Sequence, residues 1–278
     1  MQHLDHLSTD LQVLRDNHFV VNYRKCHFAQ RQLEYLGHIV SSEGVAIDPG
    51  KVQTVLDWPP PLTIKGVSGF LCLTGYYRKF IQEYGAIAQP LTALTKKGGF
   101  HWTVVAQSAF LHLKQLMTQA PILIFPDFSQ DFELGCDTSG WGIGTVLMQQ
   151  WRLIAFFSKA LSAQNLAKST YEKEIMALVL TIQHWRSYLL GRHFMVFSDQ
   201  QSLRYLLQQR ISSPDQQYWI AKLLGYNFEV QFKSASENTV ADALSRQEDA
   251  SSLHLAQSTA VWKDGRDLLQ EVSVDPQL

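Results

Sequence analysis

The chain has 278 residues, of which 46% are hydrophobic and 12% aromatic, and this composition excludes an intrinsically disordered protein. Its formal net charge of −1 is unevenly distributed: residues 1–120 have 11 basic and 8 acidic side chains, residues 121–246 have 11 of each, and residues 247–278 have 2 and 6. Near-neutrality does not indicate a nucleic-acid-binding protein, but it does not exclude one, because an enzyme that gathers carboxylates for metal ions loses positive charge at its site.

The first 118 residues predict a short piece with few elements, followed by a helical unit. Leucines at helical spacing predict a helix over residues 3–18, and residues 33–40 predict a short strand pair followed by a turn at residues 41–49. Residues 1–44 contain too few elements to bury a core, so we interpret them as a piece of a larger domain. Residues 45–118 show repeated helical periods whose aromatic residues we interpret as core.

A strand-rich region follows residue 119. Short extended and apolar segments, the first two joined by a tight glycine turn, predict three consecutive strands over residues 132–137, 143–148 and 152–157. A long helix from residue 169 to 190, a fourth strand, two shorter helices, a fifth strand and a last helix complete the pattern. This order predicts an α/β (α+β) fold with a mixed five-stranded sheet flanked by helices. Residues 247–278 are acidic and irregular, and we expect them to form a disordered tail.

The cysteines and the N-terminal residues bear on the cellular compartment. Cys26, Cys72 and Cys136 are an odd number and form no Cys-x-x-Cys pair, so we expect reduced thiols rather than disulfides or zinc ligands. The sequence shows neither a signal peptide nor a run of about 18 apolar residues. We therefore expect a cytoplasmic or nuclear protein with no membrane partner.

Four acidic residues are expected to converge at one edge of the predicted sheet. Asp137 and Asp199 each end an apolar strand, and they meet if the first and fourth strands of the sheet are neighbours. Glu174 shares a helix face with apolar residues and is predicted to point to the sheet, whereas Glu172 is predicted to point to solvent. Asp242 lies in the first turns of the last helix. Each acid alone is better explained as a turn, cap or surface residue, but the four together favour a site.

Crowded carboxylates repel one another, and divalent cations relieve that repulsion. A set of oxygen ligands suits Mg²⁺ or Mn²⁺ rather than zinc. Two such ions about 4 Å apart can activate a water molecule and stabilise the leaving oxygen of a phosphodiester. The four acids therefore predict a two-metal site.

The motifs around these acids have a specific order and spacing. The second half contains Cys136-Asp-Thr-Ser-Gly-Trp-Gly-Ile-Gly144, Ser158-Lys-Ala-Leu-Ser162, Thr170-Tyr-Glu-Lys-Glu174, Trp185-Arg-Ser-Tyr-Leu-Leu-Gly191, Ser198-Asp-Gln-Gln-Ser-Leu203 and Ala241-Asp-Ala-Leu-Ser-Arg246. Together they closely resemble the ribonuclease H (RNase H) domain of Gypsy-type long-terminal-repeat retrotransposon Pol polyproteins. Upstream, Lys25-Cys-His-Phe28, Tyr35-Leu-Gly-His-Ile-Val40 and Gly75-Tyr-Tyr-Arg-Lys-Phe80 resemble the end of the reverse transcriptase palm and the thumb and connection segment.

The resemblance covers about residues 3–246 and implies a domain organisation. Residues 1–44 would be a C-terminal remnant of the reverse transcriptase palm, and residues 45–118 a helical thumb and connection unit. Residues 119–246 would be the RNase H-like domain, followed by the disordered acidic tail at residues 247–278.

The resemblance also implies an activity, which is endonucleolytic cleavage of the RNA strand of an RNA–DNA hybrid. Asp137 would bridge two Mg²⁺ ions, or Mn²⁺ in their place, and Glu174 and Asp199 would complete the leaving-group side. Asp242 would bind the ion that activates water. Ser139, Gln200 and Gln201 would contact the substrate, whose RNA strand is distinguished by 2′-hydroxyls in the minor groove. The two glutamines are equally explained as ordinary helix-start residues.

Three departures from the family pattern qualify these expectations. The sequence has no Tyr-x-Asp-Asp motif, so we expect a truncated reverse transcriptase that does not synthesise DNA alone. Trp151 and Ala235 replace usual glycines and are expected to strain their turns by about 1 kcal/mol each. The loop Lys233-Ser-Ala-Ser236 lacks a histidine, which predicts slow product release. The alternative function is a non-catalytic nucleic-acid-binding relic, or a partner of a separate reverse transcriptase palm or of a second copy.

Overall fold

The computed structural model describes residues 2–96, 100–138, 142–199, 203 and 214–232. The predicted site residues Ser139, Gln200, Gln201 and Asp242 lie outside the described residues, as do Ala235, the 233–236 loop and the predicted tail. The described helices are α1 (Gln2–Asp16), α2 (Pro49–Leu56), α3 (Ile64–Tyr76), α4 (Tyr84–Ile87), α5 (Gln89–Ala93), α6 (Val104–Thr118), α7 (Ala163–Leu166), α8 (Thr170–His184), α9 (Arg186–Leu189) and α10 (Pro214–Ala221).

The described strands form two sheets, and single 3-10 turns occur at Tyr23–Lys25 and Arg78–Phe80. The strands are β1 (Gln32–Tyr35), β2 (His38–Ser41), β3 (Gly44–Ile47), β4 (Phe132–Thr138), β5 (Gly142–Gln149), β6 (Arg152–Ala160), β7 (His193–Ser198) and β8 (Asn227–Phe232). None of the described helices has the length and apolarity needed to cross a bilayer. The three cysteines all lie in this described part and form no disulfide.

The first sheet is a small antiparallel one in the order β1-β2-β3. The prediction of a simple turn over residues 41–49 was wrong, because β3 lies within that range. Val45 in β3 also pairs with Leu123, far along the chain. Gly44 makes this approach possible, since its φ is +139° and a Cβ there would lie 2.1 Å from the Leu123 carbonyl oxygen. β3 spans the boundary predicted at residue 44, and the division into domains stays a prediction.

Helices α2 to α6 enclose an aromatic core. Phe70 and Phe110 are fully buried, with ring centroids 4.5 Å apart, which confirms the interpretation of these aromatics as core. Side-chain caps start the helices: the hydroxyl of Thr63 accepts a hydrogen bond from the Gly66 amide at the start of α3, and Thr103 caps α6 in the same way.

Two motifs of the first half contact each other at the β1–β2 turn. Leu36 and Gly37 occupy the two central turn positions with φ of +49° and +74°. The hydroxyls of Tyr76 and Tyr77 donate to the carbonyl oxygens of Leu36 and Gly37 over 2.9 and 3.0 Å. Burial raises the pKa of Tyr77 to about 12, so the hydroxyl stays a donor at neutral pH.

The second sheet has five strands in the order β6-β5-β4-β7-β8. β4 pairs with β5, and β5 with β6, in antiparallel fashion, whereas β4–β7 and β7–β8 are parallel. The predicted mixed five-stranded sheet is therefore confirmed. Its first and fourth strands, β4 and β7, are neighbours, which is the condition under which Asp137 and Asp199 meet. α8 packs on one face of this sheet through a common core that includes Phe132, Leu134, Leu178, Ile182, Phe194 and Val196.

Local sequence determines where α8 starts. The Ser169 hydroxyl accepts from the Glu172 amide and the Glu172 carboxylate accepts from the Ser169 amide, which forms a complete capping box. α8 ends at His184, earlier than the predicted residue 190, because Trp185 leaves the helical conformation and α9 begins separately. Gly191, at φ +74°, ends the helical segment.

Candidate active site

Two predicted site residues lie at the same edge of the five-stranded sheet because β4 and β7 are parallel neighbours. Gly135 of β4 is in register with Phe197 of β7. Asp137 in β4 and Asp199, just after β7, therefore follow that row by two residues each at the carboxyl ends of their strands. Asp199 is exposed, and the side chain of Asp137 lies outside the described part of the structure. The backbone thus supports the convergence predicted for this pair.

Glu174 of α8 reaches the same sheet edge. It is 3% exposed, and its Oε1 accepts a hydrogen bond from the hydroxyl of Thr138, the last residue of β4. The prediction that Glu174 points to the sheet is confirmed by this contact. Glu172, on the other side of the helix, is partly exposed and serves the capping box. A buried carboxylate is costly to desolvate, so Glu174, buried against the last residue of β4, differs from an ordinary solvated charge at a helix start.

Thr138 is the residue that the sequence analysis missed. Period-two alternation places it on the face of Phe132, Leu134 and Cys136, which packs against α8. That alternation is the signal that could have found it, because a polar residue at the end of an apolar face must contact something polar. Its hydroxyl fixes the position of one carboxylate oxygen of Glu174.

The local electrostatics follow from partial burial. Tyr171, in the first turn of α8, has a pKa raised by desolvation, so its hydroxyl remains protonated at neutral pH. The Thr138 hydroxyl, which donates to Glu174 Oε1, is likewise uncharged.

The donor chemistry fits a hard divalent metal ion. Carboxylate oxygens suit Mg²⁺ and Mn²⁺, and Glu174 is held at the edge where Asp137 and Asp199 end their strands. Among the side chains that the structure describes, no three His, Cys, Asp or Glu residues form a metal-binding group. Asp242 and the side chain of Asp137 lie outside that part. The structure thus brings together Glu174, Thr138 and the β4 backbone, with Asp199 directly after the adjacent strand β7.

Comparisons with known families and sequences agree with this architecture. The family model described as an RNase H-like domain found in reverse transcriptase matches residues 102–196. The chain is 38% identical to the retrovirus-related Pol polyprotein from transposon 297 of Drosophila melanogaster, over 88% of the chain and 23% of that protein. It is 36% identical to the Pol polyprotein from transposon opus of the same organism, over 88% of the chain and 26% of that protein. The chain thus spans about a quarter of the length of these curated relatives.

Solved structures share the fold at low sequence identity. The foamy viral protease-reverse transcriptase in complex with an RNA/DNA hybrid superposes with a TM-score of 0.76 at 18% identity, over 91% of this chain and 35% of that one. The foamy viral protease-reverse transcriptase in complex with double-stranded DNA gives 0.73 at 17% identity, over 84% and 51% of the two chains. These superpositions establish the fold. At such low sequence identity they do not establish the activity, which has to be argued from the site residues.

Proposed function

The chain is homologous to a segment of gypsy-type retrotransposon Pol polyproteins and carries an RNase H-like domain, and from this premise we propose that it is a metal-dependent ribonuclease H. It would hydrolyse the RNA strand of RNA–DNA hybrids. The observation that supports this most directly is the buried carboxylate of Glu174, which Thr138 holds at the sheet edge where the strands of Asp137 and Asp199 end. The hybrid bound by the foamy viral protein of the same fold supports this substrate class.

Asp137, Glu174, Asp199 and Asp242 would hold two Mg²⁺ ions. Bound ions of this kind supply an activated water and stabilise the charge that develops on the leaving oxygen. Thr138 donates to Glu174 Oε1 and so fixes the carboxylate before a substrate arrives. Burial of Glu174 restricts its rotation, and the exposed Asp199 remains accessible to the nucleic acid. Ser139, Gln200 and Gln201 would contact the hybrid, and its 2′-hydroxyls would distinguish RNA from DNA.

The test is cleavage of a labelled RNA–DNA hybrid in Mg²⁺ by the chain and by Asp137→Asn. We expect the wild type to cut the RNA strand and the variant to lose about 100-fold or more in rate, because the carboxylate charge is removed from the predicted metal site. Asp131→Asn, an exposed acid before the same strand, is the matched control and should cut at the wild-type rate. Equal loss in both variants, or cleavage that does not need a divalent ion, would contradict the proposal.

The exposed apolar residues of α1 favour an alternative function, in which the chain is a partner of a reverse transcriptase palm. The α1 residues Leu4, Leu11 and Leu14 are 69%, 37% and 37% exposed, and the relatives that contain this segment are Pol polyproteins about four times as long. The sequence has no Tyr-x-Asp-Asp motif, so the chain would assist synthesis rather than perform it. Primer extension by a separately expressed palm, with and without this chain, tests this role. Extension by the chain alone would contradict the assisting role and the expectation that this chain does not synthesise DNA by itself.

A further inference from the structure

Ser158 of β6 is a point where the helical unit, defined here as residues 45–118, contacts the five-stranded sheet. The Ser158 hydroxyl accepts a hydrogen bond of 2.8 Å from the backbone amide of Gly85 in α4. The Ser158 carbonyl oxygen accepts one of 3.1 Å from the Arg78 guanidinium, which precedes α4. Ser158 itself is 5% exposed. We call these three residues the Ser158 joint.

The joint is closely packed. A Cβ added to Gly85 would lie 2.9 Å from the Ser158 carbonyl oxygen and 3.1 Å from its carbon, both backbone atoms that cannot move aside easily. Because β6 is an edge strand, its outer backbone groups need such a cover. The Arg78 guanidinium also lies 5.9 Å above the ring of Phe157. Glycine at position 85 is therefore what lets the helical unit approach the sheet edge.

Strand register connects this joint to the candidate active site. Asp137 of β4 lies opposite Gly144 of β5, and Gly144 lies opposite Ser158 of β6. The three residues form one row across the sheet, so Ser158 lies two strand spacings, about 10 Å, from the Asp137 backbone. The helical unit thus contacts the sheet in the row of a predicted catalytic acid.

Charge indicates what this placement could serve. The helical unit has 7 Lys and Arg against 3 Asp and Glu, a net charge of +4, whereas residues 121–246 have 11 of each. A nuclease site built from carboxylates repels the phosphates of its substrate, and cations beside the site offset that repulsion. A fixed contact between the cationic helical unit and the row of Asp137 would let one duplex bind the helical unit and the active site together.

On the basis of the proposed function, we infer that Ser158 is a positioning residue: the Ser158 joint fixes the helical unit beside the Asp137 row so that an RNA–DNA hybrid binds across both. A hybrid long enough to reach the helical unit gains affinity from the second surface, by an effective-concentration effect. A short hybrid reaches only the part of the helical unit nearest the joint, so it gains much less. The joint therefore governs the binding of long substrates and not the chemical step.

The experiment compares hybrids of about 10 and about 30 base pairs, roughly 30 and 100 Å long by the spacing of phosphates along DNA. For Gly85→Ala we expect KM for the long hybrid to rise about tenfold, with kcat and all short-hybrid constants within about twofold of wild type. Gly69→Ala in α3 is the matched control, because its Cβ would meet the Trp58 ring at an ordinary 3.4 Å, and it should leave both hybrids unchanged.

A second pair of variants keeps the test decisive if Gly85→Ala fails to fold. Arg78→Met and Lys79→Met each remove one positive charge from neighbouring exposed positions, but only Arg78 bonds Ser158. We expect the long-hybrid KM to rise severalfold more for Arg78→Met than for Lys79→Met. Equal rises in the two would mean that charge alone accounts for binding, and would overturn the inference. Loss of short-hybrid cleavage in step with long-hybrid cleavage would overturn it as well.

The inference and the proposed function can fail separately. If the wild type cuts neither hybrid, the proposed nuclease activity is wrong. The ratio of dissociation constants for long and short hybrids then still tests the joint in the same four variants. If the wild type cuts both hybrids but shows no preference for the long one, the proposed nuclease activity is supported and the positioning role of Ser158 is wrong.

Discussion

The two ends of the five-stranded sheet differ in how far their acidic side chains are exposed to solvent. At the carboxyl end of β4, Glu174 is 3% exposed and bonded to Thr138. At the other end, His193 contacts Asp131 over 3.0 Å and Glu229 over 4.0 Å, and the two acids are 65% and 68% exposed. Exposed pairs of this kind add at most about 1 kcal/mol to stability, whereas a buried carboxylate costs stability unless something compensates it. The difference indicates which end carries chemistry.

The largest effect expected at the site end is that of Glu174→Gln. It keeps the shape of the side chain and removes the charge, so we expect hybrid cleavage to fall about 100-fold or more. Added Mg²⁺ should raise the Tm of the wild type and leave that of the variant unchanged, because ligand binding stabilises only a protein that binds it. Glu229→Gln is the matched change at the far end and should alter neither quantity. If Mg²⁺ raised the Tm of Glu174→Gln as much as that of the wild type, Glu174 would not be a metal ligand.

Thr138→Val sharpens the comparison within the site end. Valine matches threonine in shape but lacks the hydroxyl that fixes Glu174, so we expect cleavage or Mg²⁺ affinity to fall about 10-fold, as for other groups that orient metal ligands. Thr145→Val on the neighbouring strand is the control. It removes a bond of 3.2 Å to the Phe157 carbonyl oxygen and should change stability by about 1 kcal/mol without affecting Mg²⁺ binding. Identical behaviour of the two variants would assign Thr138 a purely structural role.

At the far end, the β5–β6 turn offers a gain in stability. Gln150 and Trp151 have φ of +50° and +58°, a conformation that favours glycine at both positions. We expect Gln150→Gly to raise the free energy of unfolding by about 0.5–1 kcal/mol in urea titrations. Trp151→Gly should gain less, since it loses the ring contact with Phe197, whose centroid lies 4.8 Å away. A loss of stability in Gln150→Gly would show that the turn carries no strain.

The smallest effect concerns the exposed pair itself. Asp131→Asn removes the charge of the nearer of the two acidic partners of His193, and we expect the free energy of unfolding to change by less than about 0.5 kcal/mol. Raising the salt concentration should abolish even that difference between variant and wild type. A change above about 2 kcal/mol would mean that the two ends are not as different as their exposures indicate.

Much of the second half was readable from sequence because its signals are local. Short apolar segments indicated β4, β5 and β6, and helical angle placed Glu174 on the sheet side. The first half was harder to read. β3 escaped detection because Val45 and Gly44 owe their conformation to Leu123, which is remote in sequence. Thr138 was missed for a related reason, since its role appears only when α8 lies over β4.

By itself, the sequence determined which residues alternate, where helices begin and which acids end apolar strands, because these depend on neighbours within a few positions. Tertiary structure decided that β4 and β7 are adjacent and parallel, that Thr138 bonds Glu174, and that Gly85 meets Ser158 in the row of Asp137. Those contacts join residues 36 to 73 positions apart. They form only when burial of the shared core outweighs the entropy of closing the intervening chain, and no local pattern records that balance.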